Sequence, residues 1–213
     1  MEIHLRKIKP EYFTLSGKEV SQVWQHDISI IKGEHLQIVA PSGSGKTSLI
    51  HFIYGLRKDY SGTILYDNVN IKKFSTEDFS AFRQNKISVI FQDLRLFENQ
   101  TARENIEIKR VLNPYHQPGA IDRMARKLGI ENKLNQQVKI CSYGEQQRIA
   151  IIRALMQPFE FLLLDEPYSH LDEENKNKAM ELIDEECDQR NAAMVFADLK
   201  PLNFFTGEKI VYL

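Results

Sequence analysis

Cysteine is scarce: Cys141 and Cys187 are the only two in 213 residues, and they lie far apart. That excludes a disulfide framework and a cysteine-rich metal site, and it sets an expectation of a reducing, cytoplasmic setting. Net charge is nearly absent, since 28 Lys and Arg against 29 Asp and Glu leave −1. That balance argues against a protein that grips nucleic acid through bulk positive charge, though not against a local basic patch, and no nucleic acid is expected as a partner. No apolar run approaches the ~20 residues that span a bilayer. Residues 1–7 (MEIHLRK) lack the apolar stretch of a secretory signal, so no leader is expected. If the protein works at a membrane, another chain must hold it there. No internal repeat or low-complexity tract stands out.

What is there is an ordinary globular composition, 42% hydrophobic and 27% charged, in a chain long enough for one large domain or two small ones. Strand and helix patterns alternate, which argues for an α/β fold with a largely parallel sheet. The first part differs. Residues 3–8, 28–31 and 63–66 read as short alternating strands, antiparallel, with Asp67-Asn68 as a turn. Residues 35–40 form a buried strand leading into a glycine-rich loop, and residues 47–54 a helix. Residues 87–91 are another strand. The pattern from 101 to 155 is helical, broken at Pro114, Pro118 and Gly119. Residues 159–164 are continuously apolar, as in a strand covered on both faces. A polar-rich helix over 173–190 and closing strands at 193–197 and 209–213 complete the reading.

Two motifs carry the chemistry. The segment Ala40-Pro41-Ser42-Gly43-Ser44-Gly45-Lys46-Thr47 lies between an apolar strand and a helix. Small residues there let backbone N–H groups curl around phosphate oxygens, and the helix points its positive end at the same anion. Lys46 adds a full charge on the β- and γ-phosphates, and the Thr47 hydroxyl is placed to bind Mg²⁺. The usual first glycine is Ala40, acceptable if that position has negative φ. The second motif is the strand Phe161-Leu162-Leu163-Leu164, which ends in Asp165 and Glu166. Asp165 would hold Mg²⁺, and Glu166 would polarise the attacking water. Strand ends of an open α/β sheet are where ligands sit.

Between them, Cys141-Ser142-Tyr143-Gly144-Glu145-Gln146-Gln147-Arg148 opens a helix. With this motif in place, the chain resembles the nucleotide-binding subunit of an ABC transporter. That family's motif reads Leu-Ser-Gly-Gly-Gln/Glu-x-Gln-Arg; Ser142, Gly144, Glu145, Gln147 and Arg148 match it, and Cys141 and Tyr143 depart. The resemblance covers nearly the whole chain. Gln92 matches the family's glutamine loop, which contacts Mg²⁺ and water. Ser169-His170-Leu171-Asp172 resembles its dimer loop. Phe13, or its neighbour Tyr12, lies where the family stacks an aromatic on adenine. Residues 101–106 and the form Gly-Glu-Gln-Gln-Arg are similar to the lipoprotein-release and macrolide-export branch.

The resemblance implies a single ABC ATPase domain over 1–213. It would have a P-loop NTPase core with an antiparallel β-subdomain (approximately 1–91 and 159–213) and an α-helical subdomain (92–158). It implies ATP and Mg²⁺ as cofactors, with Glu166, Lys46 and Gln92 catalytic and Thr47, Gln92 and Asp165 on the metal. The nucleotide would be held by Phe13, by residues 40–48 ending in Ser48, and by Ser142, Gly144 and Glu145. The last three would act across a face-to-face dimer with a second nucleotide-binding subunit, homo- or heterodimeric. An integral membrane permease subunit would be the other partner, with the cassette on the cytoplasmic face. Where the family carries a histidine in a Thr-His-Asp context, this chain reads Phe196-Ala197-Asp198, so slow turnover is expected. Tyr143 stands where the family has a glycine. A regulatory ATP-dependent clamp is the alternative to a transport motor. A small-molecule kinase would leave residues 142–148 unexplained.

Overall fold

The computed structural model describes residues 1–13, 21–202 and 209–213. Two sheets organise it. The first is antiparallel, in the order β2-β1-β4-β5, from β1 (Glu2–Pro10), β2 (Asp27–Ile31), β4 (Tyr60–Tyr66) and β5 (Val69–Asn70). Alternation sets its register: Ile3 and Leu5 pair with Ile30 and Ile28 on one side and with Tyr66 and Ile64 on the other. All six point into one core. Asp67 and Asn68 both take left-handed φ, 48° and 81°, the conformation of a tight hairpin turn.

The second sheet is parallel, in the order β6-β7-β8-β3-β9. Its strands are β3 (His35–Val39), β6 (Ile87–Ile90), β7 (Phe161–Asp165), β8 (Ala193–Asp198) and β9 (Lys209–Tyr212). Strand β7 is buried along its whole length. Its side chains alternate between two cores: Phe161 and Leu163 join the one shared with the antiparallel sheet, Leu162 and Leu164 the one built with the helices. This is the both-faces-covered strand that its continuous apolar run implies.

The helices are α1 (Lys46–Ile53), α2 (Thr76–Asn85), α3 (Ala102–Leu112), α4 (Gly119–Lys127), α5 (Tyr143–Leu155) and α6 (Glu173–Arg190). Capping boxes start α2 at Ser75/Asp78, α3 at Thr101/Glu104 and α5 at Ser142/Glu145. Two expectations change. Helix α2 is an element that the sequence pattern does not announce, because its inward stripe is only Phe79, which is buried, and Phe82, which is half-buried. The span 128–142 is not α-helical; it holds only two short 3₁₀ turns, Glu131–Lys133 and Val138–Ile140. Its buried apolar residues, Leu128, Ile130, Leu134 and Val138, mimic helical spacing while packing as an irregular segment. No described helix is long and apolar enough to cross a membrane.

Candidate active site

Strands β3, β6, β7 and β8 run parallel, so their carboxyl ends share one edge. The loop after β3 carries Ala40 to Gly45, the end of β6 leads to Gln92, and β7 ends in Asp165. Two backbone hydrogen bonds fix the edge: Ala40 N–H to the Asp198 carbonyl at 3.1 Å, and Glu166 N–H to the Ala197 carbonyl at 3.0 Å.

The phosphate loop has the expected backbone. Gly43 and Gly45 take φ of 83° and 103°, which L side chains rarely adopt. Ala40 is not among the residues with positive φ, so its methyl group costs nothing there. Gly45 caps α1, and a Cβ on it would come within 3.0 Å of the Trp24 ring. Trp24 is the chain's single tryptophan, and its Nε1–H donates to the Ser44 carbonyl at 3.4 Å.

Lys46 is 5% exposed. Its ammonium donates to the Ala40 and Pro41 carbonyls at 2.8 and 3.1 Å and pairs with Glu166 Oε1 at 3.3 Å. Glu166 has φ 48°, a strained backbone for a non-glycine residue and one that recurs at functional sites. Gln92 joins the two halves: its Oε1 accepts from the Thr47 hydroxyl at 3.3 Å, and its Nε2 donates to Glu166 Oε2 at 3.4 Å.

Asp165 is 1% exposed, and neither carboxylate oxygen has a hydrogen-bond partner. Burial pushes its pKa up to about 6, and the Glu166 charge adds to this; Thr47 and Lys46 oppose it. Asp198 is raised as well, by burial first. Two buried acceptors without donors, beside the Thr47 hydroxyl and Gln92 in a hollow of about 210 Å³, fit a cation. No group of three or more His, Cys, Asp or Glu able to hold a metal occurs among the described residues. The donor set therefore suits a hard cation shared with phosphate oxygens rather than one caged by protein.

A neighbouring cleft of about 290 Å³ is lined by Tyr12, Phe13, Ser42, Gly43, Gly45, Lys46, Thr47, Ser48, Gln92 and Glu166. The Tyr12 hydroxyl hydrogen-bonds Ser48 Oγ at 2.6 Å, and Phe13 lies 6.4 Å from Trp24, ring to ring. Both aromatics weighed for adenine thus reach the cleft. Ser142, Gly144 and Glu145 do not line it. They form the first turn of α5, where Ser142 is exposed and its hydroxyl oxygen accepts from the Glu145 N–H at 3.3 Å. Sequence reading missed the part played by Gln147, which is 2% exposed. Its Nε2 donates to the Glu166 carbonyl at 3.3 Å, and its Oε1 accepts from the His170 N–H at 3.2 Å. The signal was available: a glutamine on the inward face of an amphipathic helix needs partners.

Comparison with known proteins supplies the family and the fold. The family described as ABC transporter matches residues 24–169. The lipoprotein-releasing system ATP-binding protein LolD of Legionella pneumophila is 34% identical over 172 residues, 79% of this chain and 76% of that protein. The macrolide export ATP-binding/permease protein MacB of Nitrosomonas europaea is 33% identical over 186 residues, 86% of this chain. The match spans only 28% of MacB's length. Among solved structures, the dimeric ATP-binding cassette MJ0796 of Methanocaldococcus jannaschii, bound to ADP and Pi, superposes with a TM-score of 0.80. That superposition covers 93% of this chain and 88% of the other, at 24% identity, and establishes the fold.

Proposed function

Because the chain belongs to the ABC transporter family as an ATP-hydrolysing cassette, we propose that it dimerises around MgATP and powers a separate membrane permease subunit. Lys46 and the backbone of residues 41–47 bind the β- and γ-phosphates, with Tyr12 or Phe13 against the adenine. Thr47, Asp165 and Gln92 hold Mg²⁺, which when bound neutralises charge developing on the phosphoryl oxygens. Glu166, one peptide beyond Asp165, accepts the proton of the water that attacks the γ-phosphorus as the bond to the β-phosphate oxygen breaks.

One observation carries the dimer. Lys46, Thr47, Gln92 and Glu166 line the nucleotide cleft, while Ser142, Gly144 and Glu145 lie outside it. That leaves Ser142 and the N-terminus of α5 free to cap a γ-phosphate held by a second subunit. Loss of that phosphate removes the bridge, and the halves open. The nucleotide-binding core (approximately 1–91 and 159–213) and the helical subdomain (92–158) act as one ABC ATPase domain.

A second reading, a regulatory clamp in which ATP-driven closure matters more than turnover, is favoured by Ala197, which can neither hold the γ-phosphate nor orient water. One experiment separates them. The tagged protein and its Glu166→Gln variant are purified from membranes, and partners and ATPase rate are read together. An integral membrane partner, with hydrolysis abolished in the variant, supports the motor. Soluble partners alone support the clamp. Unchanged hydrolysis in the variant overturns the role of Glu166.

A further inference from the structure

Tyr143, which stands where the family's motif has a glycine, makes two contacts that a glycine has no atoms to make. Its hydroxyl donates to the Gln92 backbone carbonyl at 3.1 Å. Its ring lies 4.2 Å from the His170 imidazole, tilted at 55°. His170 is itself held, with its ring Nδ1 2.8 Å from Ser169 Oγ and its backbone N–H donating to Gln147 Oε1. Gly144 closes the packing from the other side: a Cβ there would sit 3.0 Å from the His170 carbonyl oxygen. The first turn of α5 is therefore fixed at once to the Gln92 loop and to residues 166–171. At the far end of both paths are the groups that touch the nucleotide, Thr47 and Glu166, through the Gln92 side chain and through Gln147.

We propose that Tyr143 is a positioning residue that, braced by His170, transmits occupancy of its own subunit's nucleotide cleft to the Ser142–Gly144 turn capping the opposite nucleotide. The inference rests on the dimer reading above. Movement of Gln92 toward a bound cation and γ-phosphate carries its backbone carbonyl with it, and the Tyr143 hydroxyl follows at the N-terminus of α5. Because that N-terminus faces the second site, filling one cleft aligns the cap on the other. This gives positive coupling between the sites without contact between the two nucleotides. Ring and hydroxyl have separate tasks. The ring, packed on His170, keeps the side chain extended, while the hydroxyl grips the carbonyl.

The test uses Tyr143→Phe, which keeps the ring and removes the grip, with His170→Ala as a second variant. Three quantities are read on the full chain: thermal melting, MgADP affinity from Trp24 emission, and the Hill coefficient of steady-state MgATP hydrolysis. MgADP lacks the γ-phosphate and so reports the loop alone. Melting and MgADP affinity are expected to match wild type. The Hill coefficient is expected to fall from about 2 to about 1 in Tyr143→Phe, and part of the way in His170→Ala. A purely structural role would lower melting without changing the Hill coefficient. A wild-type Hill coefficient in Tyr143→Phe, a non-cooperative wild type, or a matching loss of MgADP affinity overturns the latch alone. A wild-type chain that neither binds MgADP nor hydrolyses MgATP overturns the cassette reading along with it.

Discussion

Glu166 donates its backbone N–H to the carbonyl of Ala197 at 3.0 Å. The end of β8 therefore lies between the two halves of the site, with the phosphate loop after β3 on one flank and the acidic end of β7 on the other. Asp165 and Ala197 are direct neighbours across the β7–β8 ladder. Alternation along β8 puts Met194 and Phe196 in the helical core and Val195 and Ala197 in the other core. A longer side chain at 197 would therefore project on the α1 side, beside the phosphate loop.

Ala197→His is expected to raise kcat by about tenfold or more, the scale on which one positioned donor acts at a developing negative charge. Ala197 is fully buried, so the larger ring will also cost about 1–3 kcal/mol of stability through overpacking. Steady-state hydrolysis and thermal melting on the same preparations check both. A folded variant with unchanged kcat removes the slow-turnover argument.

The unpartnered Asp165 carboxylate gives the metal-free protein a pH dependence of known sign. Its folded pKa, about 6, lies above the ordinary 3.8. The stabilisation associated with the neutral acid is fully present below the unfolded value. It is lost as pH rises through the folded one. Asp165→Asn should therefore stabilise the protein at pH 7 in chelator, by at most roughly 3 kcal/mol, and the gain should vanish near pH 4. Magnesium should reverse the ranking at pH 7, because only the carboxylate is a strong ligand. Paired melting curves decide it; no pH dependence in the difference would show that Asp165 is not destabilised by its surroundings.

A third expectation concerns the seam between α6 and the helical region. Arg190 and Glu186, one turn apart, bond at 2.5 Å, and His116 Nε2 lies 2.7 Å from the same Glu186 oxygen. Arg190 also donates to the Leu155 carbonyl at 3.0 Å, and its guanidinium lies over the Tyr115 ring at 3.7 Å. Burial would raise Glu186, yet the hydrogen bonds from His116 and Arg190 hold it below the usual carboxylate range. Its stabilisation is present above the unfolded pKa and lost as pH falls through the depressed one. Arg190→Met leaves the buried Glu186 carboxylate with His116 as its remaining side-chain partner and should cost about 3 kcal/mol, the low end for breaking a buried pair. Adding Glu186→Gln should recover part of that loss; a double variant no more stable than the single one would show that lost packing dominates.

The sequence by itself determined the local elements and several of the residues that meet at the strand ends. The antiparallel strands, the strand-loop-helix around residues 40–54 and the 173–190 helix were legible because burial periodicity and loop composition are local properties. So were Lys46, Thr47, Asp165 and Glu166, each carried by its immediate neighbours. Helix α2 and the irregular 128–142 segment were not legible. In both, burial is decided by distant partners rather than by spacing along the chain.

Only the tertiary structure decided the strand order that seats Ala197 between the phosphate loop and Glu166. It also decided that both oxygens of Asp165 are left without donors. The contacts of Tyr143 with Gln92 and His170 belong to the same class, since their partners lie 51 and 27 positions away. Hydrogen bonds and desolvation depend on what chain folding brings within about 3 Å, and residues far apart in sequence hold no local record of that meeting.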